Sequence, residues 1–271
     1  MSHPLLEVVD VTAGFGATTV LHGLSYTVAA GEIAGIFGLN GAGKSVSMKV
    51  LAGVVPARSG RILFDGLSIT GMSAEERVAK GMAHVPQGRQ VFKELTVEQN
   101  LRLGAYTLRR RAPAKYRATL DGVYDRFPLL RERRTQVAGT MSGGQQASLA
   151  VARALMAEPL LMLVDEPSAG LAPLVVQELY GTLREVAATG VTMVLVEQNV
   201  SFGLQLAHTA HILQTGRIVH SGSVAELDSD AVAGYLGVGR LLSAGVSGTI
   251  AARKPARKRA PRKKAATEAA S

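Results

Sequence analysis

The sequence predicts an α/β fold: a mainly parallel β-sheet covered by helices, with a small antiparallel β subdomain and an inserted α-helical subdomain. Three observations predict it. Apolar runs of strand length alternate with helical patterns along the chain, which is the rhythm of a parallel sheet. The early part, from Leu5 to Phe64, is rich in short β-like runs, whereas the segment from about Glu98 to Val137 is helical in texture, rich in arginine and without a strand candidate. Taken in order, Leu5 to Val11 and Arg61 to Phe64 belong to the small antiparallel sheet. Ile33 to Phe37 reads as a buried strand, and Ser45 to Val54 as the helix that follows it. Met82 to Val85 is the next strand. The helical insertion at about 98–140 carries Arg109, Arg110, Arg111, Arg117, Arg126, Arg131, Arg133 and Arg134. A helix ending near Ala157 leads into the strand Leu160 to Val164. Another opens at Pro173, a good first-turn residue, with Val176, Leu179, Leu183 and Val186 on one core face, and ends near Gly190. Val191 to Val196 completes the strand set.

At 271 residues and 47% hydrophobic, the chain is long enough to bury a full α/β core. One domain over residues 1–240 is expected. No apolar run approaches the ~18 residues of a membrane span, and MSHPLLEVVD lacks the basic and apolar regions of a signal peptide, so a cytosolic protein is expected. The absence of cysteine excludes disulfides and thiol catalysis. The net charge of +9 is unevenly spread: residues 253–271 hold eight basic side chains and one acid, Glu268, and so supply +7 of it. Residues 241–271 are expected to be a disordered tail of Ala, Lys, Arg and Pro, with little to bury.

The most specific motif is Gly38-Leu-Asn40-Gly41-Ala42-Gly43-Lys44-Ser45, which fits the phosphate-binding loop G-x-x-x-x-G-K-[ST] at every fixed position and lies between a strand and a helix. Its glycines let the backbone N–H groups turn inward at phosphate oxygens, at a helix N-terminus that favours anions. Lys44 is expected to reach the β- and γ-phosphates of a nucleoside triphosphate, and the Ser45 hydroxyl to ligate Mg²⁺. A second element is the strand ending in Asp165-Glu166. Alone it reads equally well as an ordinary helix start, where carboxylates are favoured. With the phosphate loop upstream, Asp165 is expected to orient Mg²⁺ and Glu166 to polarise the water that attacks the γ-phosphate. A third is Met141-Ser142-Gly143-Gly144-Gln145-Gln146, read as a helix start with an exposed hydroxyl and unobstructed N–H groups, hence a second anion site.

This last hexapeptide resembles the LSGGQ signature of ATP-binding cassette (ABC) ATPases, and the resemblance covers roughly residues 5–240. It implies a P-loop NTPase core that binds ATP and Mg²⁺. It also implies that the signature of one subunit closes over the γ-phosphate held by another, so the chain pairs with itself or with a sibling ATPase. By the same resemblance, Phe15 matches the aromatic residue that stacks on adenine, and Gln87 the Q-loop glutamine that touches Mg²⁺. Ser168 to Ala172 matches the D-loop, with Ala172 where many members have aspartate. At the switch position, where most members have histidine, stands Gln198, which donates a hydrogen bond but takes up no proton near neutral pH.

Within the family, Val85 to Asn100, Ser168 to Pro173 and Val196-Glu197-Gln198-Asn199 are similar to the importer ATPases for branched-chain (hydrophobic) amino acids and to their relatives for urea and short amides. That similarity implies a peripheral subunit on the cytoplasmic face of the membrane, two transmembrane permease partners and, indirectly, an extracytoplasmic substrate-binding protein. Val91, Phe92 and Leu95 are expected either to contact the permease or to belong to the core of the insertion. A different class is a non-transport ABC ATPase acting on nucleic acid, for which the basic tail is the relevant feature. Its cations suit weak contact with anionic lipid or nucleic acid, but it has no aromatic residue for base stacking.

Overall fold

The computed structural model describes residues 3–227. The expected tail at 241–271, and 228–240 of the expected domain, lie outside the described residues. The chain opens with a long hairpin, β1 (Leu6–Phe15) and β2 (Thr18–Val28), in which buried and open positions alternate along β1 on either side of an irregularity at Val9 and Asp10, as a sheet with one core face requires. With β4 (Ala57–Phe64) and the short β5 (Leu67–Ser68) it forms an antiparallel sheet of order β2-β1-β4-β5. Between them lie β3 (Ile33–Phe37), buried at all five positions, and helix α1 (Lys44–Leu51). The helix is shorter than its apolar pattern suggests. The buried Arg77 of α2 (Ala74–Ala79) donates to the carbonyls of Val50 and Leu51 at 2.7 Å each, closing its C-terminal end.

Strand β6 (Met82–Val85) leads into the insertion, which is α3 (Val97–Gly104), α4 (Tyr106–Arg111), α5 (Pro113–Arg126) and α6 (Pro128–Glu132). Pro113 and Pro128 each start a helix, where proline's missing N–H costs nothing. Then follow α7 (Gly143–Leu155), β7 (Leu161–Asp165), α8 (Pro173–Ala188), β8 (Thr192–Glu197), α9 (Val200–Leu206) and the hairpin β9 (Thr209–Gln214) and β10 (Arg217–Ser223). The larger sheet has the order β10-β9-β3-β8-β7-β6, parallel except for β10.

Two cores carry this architecture. One joins β6, β7, α7 and α8 to the insertion: Val97, Leu101, Val123, Phe127 and Leu130 pack in the same buried cluster as Leu149, Val151 and Leu183. The insertion therefore rests on α7 through a shared core. The expected core face of α8 is buried as read, with Tyr180 added to it. The other core joins the antiparallel sheet to α1 and the opposite face of the parallel strands. The edge where β3, β6, β7 and β8 end at their C-termini, which is where α/β sheets of this kind bind ligands, is left open to function.

Candidate functional site

Four neighbouring parallel strands each deliver a predicted site residue at that edge. The phosphate loop follows β3, Gln198 follows β8, Asp165 and Glu166 end β7, and Gln87 follows β6. The loop's shape comes from tight backbone packing. Gly43 precedes α1 at φ 108°, in the left-handed region, and a Cβ there would sit 3.0 Å from Leu21 of β2. At Gly38 a Cβ would meet the Leu213 carbonyl oxygen at 2.3 Å. Ala42 is further tied by its carbonyl to the Gly216 N–H at 2.9 Å. Asn40 and Gly41 stand exposed at the rim.

Lys44 is 4% exposed and its Nζ donates to the carbonyls of Gly38 and Leu39 at 2.9 and 3.1 Å, curling back over its own loop. Burial lowers its pKa, while the carboxylates of Glu166, Asp165 and Glu197 pull the other way. Its Nζ lies 3.9 Å from Glu166 Oε1. Glu166 is itself 4% exposed and has φ 45°, a conformation a side chain with a Cβ adopts only where the surroundings enforce it. Its Oε2 accepts two short hydrogen bonds, from Gln87 Nε2 at 2.6 Å and from Gln198 Nε2 at 2.7 Å. Glu166, expected to polarise the water, therefore meets Gln87 of the Q-loop and Gln198 of the switch position at one carboxylate oxygen, with the lysine against the other.

Asp165 lies beside them, buried, with Oδ1 accepting no hydrogen bond from the protein. Burial, then the Glu166 charge, push its pKa from the usual 3.8 up to about 6, against the pull of Lys49, Lys44 and the Ser45 hydroxyl. An orphaned buried carboxylate oxygen is a polar atom that requires a cation or an ordered donor. Among the described residues no group of three or more His, Cys, Asp and Glu converges. A Mg²⁺ held by one carboxylate, one hydroxyl and substrate phosphates requires no such group, so the donor set fits this ion.

The signature residues stand apart from this cluster. Ser142 closes a capping box on α7: Gln145 N–H donates to its hydroxyl at 3.4 Å and its own N–H to the Gln145 side chain at 3.0 Å. A Cβ at Gly143 would meet the Arg89 guanidinium at 2.7 Å, and one at Gly144 would meet Val175 at 2.3 Å. The structure thus brings Ser142, Gly143 and Gly144 together at a helix start whose serine hydroxyl serves as the cap, with Arg89 and Val175 beside the two glycines, apart from the phosphate loop. Phe15, at the end of β1, is 51% exposed, its ring open to solvent beside a turn that Arg58 holds through the carbonyls of Gly16 and Thr18. Of the three apolar residues after the Q-loop, Val91 is core, Leu95 half-buried and Phe92 exposed under the Arg153 guanidinium, 5.2 Å from the ring centre.

Two residues that sequence reasoning missed also serve the site. Asn100, fully buried on α3, donates to the carbonyls of Phe92, Leu95 and Thr96 and accepts from the Phe92 N–H, so it shapes the segment leaving the Q-loop. Glu197, at the end of β8, is 1% exposed. The available signal was an acid closing an apolar strand, the same pattern as Asp165 at the end of β7.

Residues 21–169 match the family of ABC transporters. The chain is 42% identical over 235 residues to the high-affinity branched-chain amino acid transport ATP-binding protein BraG of Pseudomonas aeruginosa, covering 86% of this chain and all of that one. It is 33% identical to the probable branched-chain amino acid transport ATP-binding protein LivF of Archaeoglobus fulgidus, over 82% of this chain and 94% of the relative. In structure it resembles a nucleotide-free ATP-binding cassette from an ABC transporter, with a TM-score of 0.75 and 26% identity over 87% of this chain and 96% of the other.

Proposed function

The chain belongs to the ABC transporter family, and we propose that it is the ATP-hydrolysing subunit of an importer for branched-chain and other hydrophobic amino acids. The observation that carries this reading is the identity with BraG, which extends over that protein's whole length. In this role the phosphate loop from Gly38 to Ser45 cradles the triphosphate, and Lys44 exchanges its two loop carbonyls for phosphate oxygens. Ser45 and Asp165, with Gln87, would hold Mg²⁺, which would supply charge neutralisation at the triphosphate. Glu166 polarises the attacking water, and Gln87 and Gln198 fix its carboxylate, leaving it little freedom to turn away. Phe15 stacks on adenine.

The separation of Ser142–Gly144 from the phosphate loop supports a composite site, completed by the signature of a second copy or a sibling ATPase. Closing two such sites and reopening them after hydrolysis is mechanical work. It would be delivered to two membrane permeases that receive cargo from an extracytoplasmic binding protein. Among the described residues no helix is long and apolar enough to cross a membrane, in keeping with a peripheral subunit at the cytoplasmic face. The test is uptake of labelled leucine and of labelled urea in cells lacking this chain, complemented with the wild type or with Lys44→Ala. Leucine uptake restored by the wild type alone supports the proposal. Restoration of urea uptake alone assigns the ATPase to short amides, and restoration of neither removes the importer reading.

A further inference from the structure

We propose that Glu197 is a positioning residue for ATP hydrolysis, a buried carboxylate that locks the loop after β7 to the loop after β8 so that Gln198 and the segment from Ser168 onward keep one fixed spacing around Glu166. The inference rests on the hydrolytic roles assigned above to Glu166 and Gln198.

The Glu197 side chain accepts four hydrogen bonds. Its Oε1 takes the Ser168 N–H at 3.1 Å. Its Oε2 takes the Ser168 hydroxyl at 2.9 Å, the Gln198 N–H at 3.1 Å and the Asn199 N–H at 3.4 Å. Ser168 stands two residues after Glu166, and Gln198 is the residue whose side chain grips Glu166 Oε2 at 2.7 Å. One carboxylate therefore closes a ring: Glu166, the turn to Ser168, Glu197, the backbone of Gln198, the Gln198 side chain, and Glu166 again. A backbone bond from Glu166 N–H to the Val196 carbonyl at 2.9 Å braces the same ring.

An acidic side chain is otherwise an expensive choice for so buried a position, which any apolar residue would fill at lower cost in solvation. An acceptor-only group is the one chemistry that satisfies four converging donors at once. The ring also faces outward. The loop from Ser168 to Ala172 runs past Arg89, whose guanidinium donates to the carbonyls of Ala169 and Gly170 at 3.3 and 3.5 Å and packs on Gly143 of the signature. Movement at the signature thus has a contiguous path to Ser168, then to Glu197 and to the Glu166 clamp.

The test uses the full-length chain with Glu197→Gln, Ser168→Ala and the pair together. In Glu197→Gln the amide oxygen replaces Oε2 and keeps three donors, but the NH₂ group then opposes the Ser168 N–H. Hydrolysis, ATP affinity and hydrogen–deuterium exchange are measured on each. We expect kcat to fall tenfold or more in Glu197→Gln with ATP affinity within twofold of wild type. The effect of Ser168→Ala should be smaller, and the double variant should lose less than the product of the two single losses, because both changes act on one ring. Exchange should rise together in the segments around Ser168 and around Gln198. A folded Glu197→Gln with kcat within twofold of wild type would overturn the proposal. So would equal losses in kcat and ATP affinity, or faster exchange on one side of the ring only. A wild-type chain that binds ATP without hydrolysing it would count against the hydrolytic reading, while the exchange data would still decide whether Glu197 links the two loops.

Discussion

Replacing Gln198 by alanine removes one of the two short hydrogen bonds that hold Glu166 Oε2, the 2.7 Å bond, and leaves the 2.6 Å bond from Gln87. A hydrogen bond to a charged group is worth about 1.5–3 kcal/mol. If that energy is expressed in the transition state, where the carboxylate must face the attacking water, the loss corresponds to a fall in kcat of roughly 10- to 150-fold. Nucleotide affinity should change little, because the phosphate loop's own contacts at Lys44, Gly38 and Leu39 do not involve Gln198. Single-turnover hydrolysis at saturating ATP separates the two effects, with an equilibrium binding titration alongside. Since Gln87 and Gln198 share one oxygen, Gln87→Ala with Gln198→Ala should cost less than the product of the single losses. Hydrolysis by Gln198→Ala within twofold of wild type would refute the reasoning, because the residue could not then be clamping the base.

Two further predictions concern the site's architecture and the fold's pH dependence. Gly144→Ala forces a methyl group to within 2.3 Å of Val175 and displaces the start of α7; hydrolysis should fall by an order of magnitude or more while each subunit still binds ATP, and unchanged hydrolysis would count against a role for the signature in the site. His211 is buried on β9 with Nδ1 2.8 Å from the Ser221 hydroxyl, and burial lowers its pKa from 6.5 to about 4. The unfolded chain then binds the proton more tightly, so stability is present above pH 6.5 and lost as pH falls towards 4, by about 2 kcal/mol between pH 7 and pH 5. Urea unfolding of His211→Asn at both values should show a shallower pH dependence than the wild type, and identical slopes would contradict the assignment.

The strands that bear chemistry were legible because each is a short, mostly apolar run ending in a polar motif, interrupted only by His84 in β6 and Thr192 in β8. Ile33–Phe37 and Met82–Val85 stand where the sequence places them, and β7 and β8 are shifted by one residue so as to include Asp165 and Glu197. The hairpin β9–β10 went unread: β9 has no motif at its end, and the alternation of β10 is half-buried and polar, the weak signal of an edge strand. Helix α1 was read too long because its apolar pattern continues through Val54, whereas Arg77, distant in sequence, caps it at Leu51. In the site, loop and strand-end motifs point to Lys44, Asp165 and Glu166, and the family resemblance to Gln87 and Gln198; all five stand at one sheet edge. What the sequence does not carry is the pairing among them. That two glutamine side chains meet on one glutamate oxygen, and that Glu197 ties Ser168 to the backbone of Gln198, depends on strands β6, β7 and β8 lying side by side, a long-range property that local patterns leave open.

That this ATPase drives membrane permeases can be tested by trapping it on its partners. Glu166→Gln keeps an oxygen for Gln87 and Gln198 while removing the base, so ATP should hold the closed state. The tagged variant is captured from native membranes with ATP and its companions are identified by mass spectrometry. Recovery of multi-span permeases, with or without a sibling ATPase, is the predicted result; recovery of ribosomes or DNA-bound proteins without any permease would contradict it.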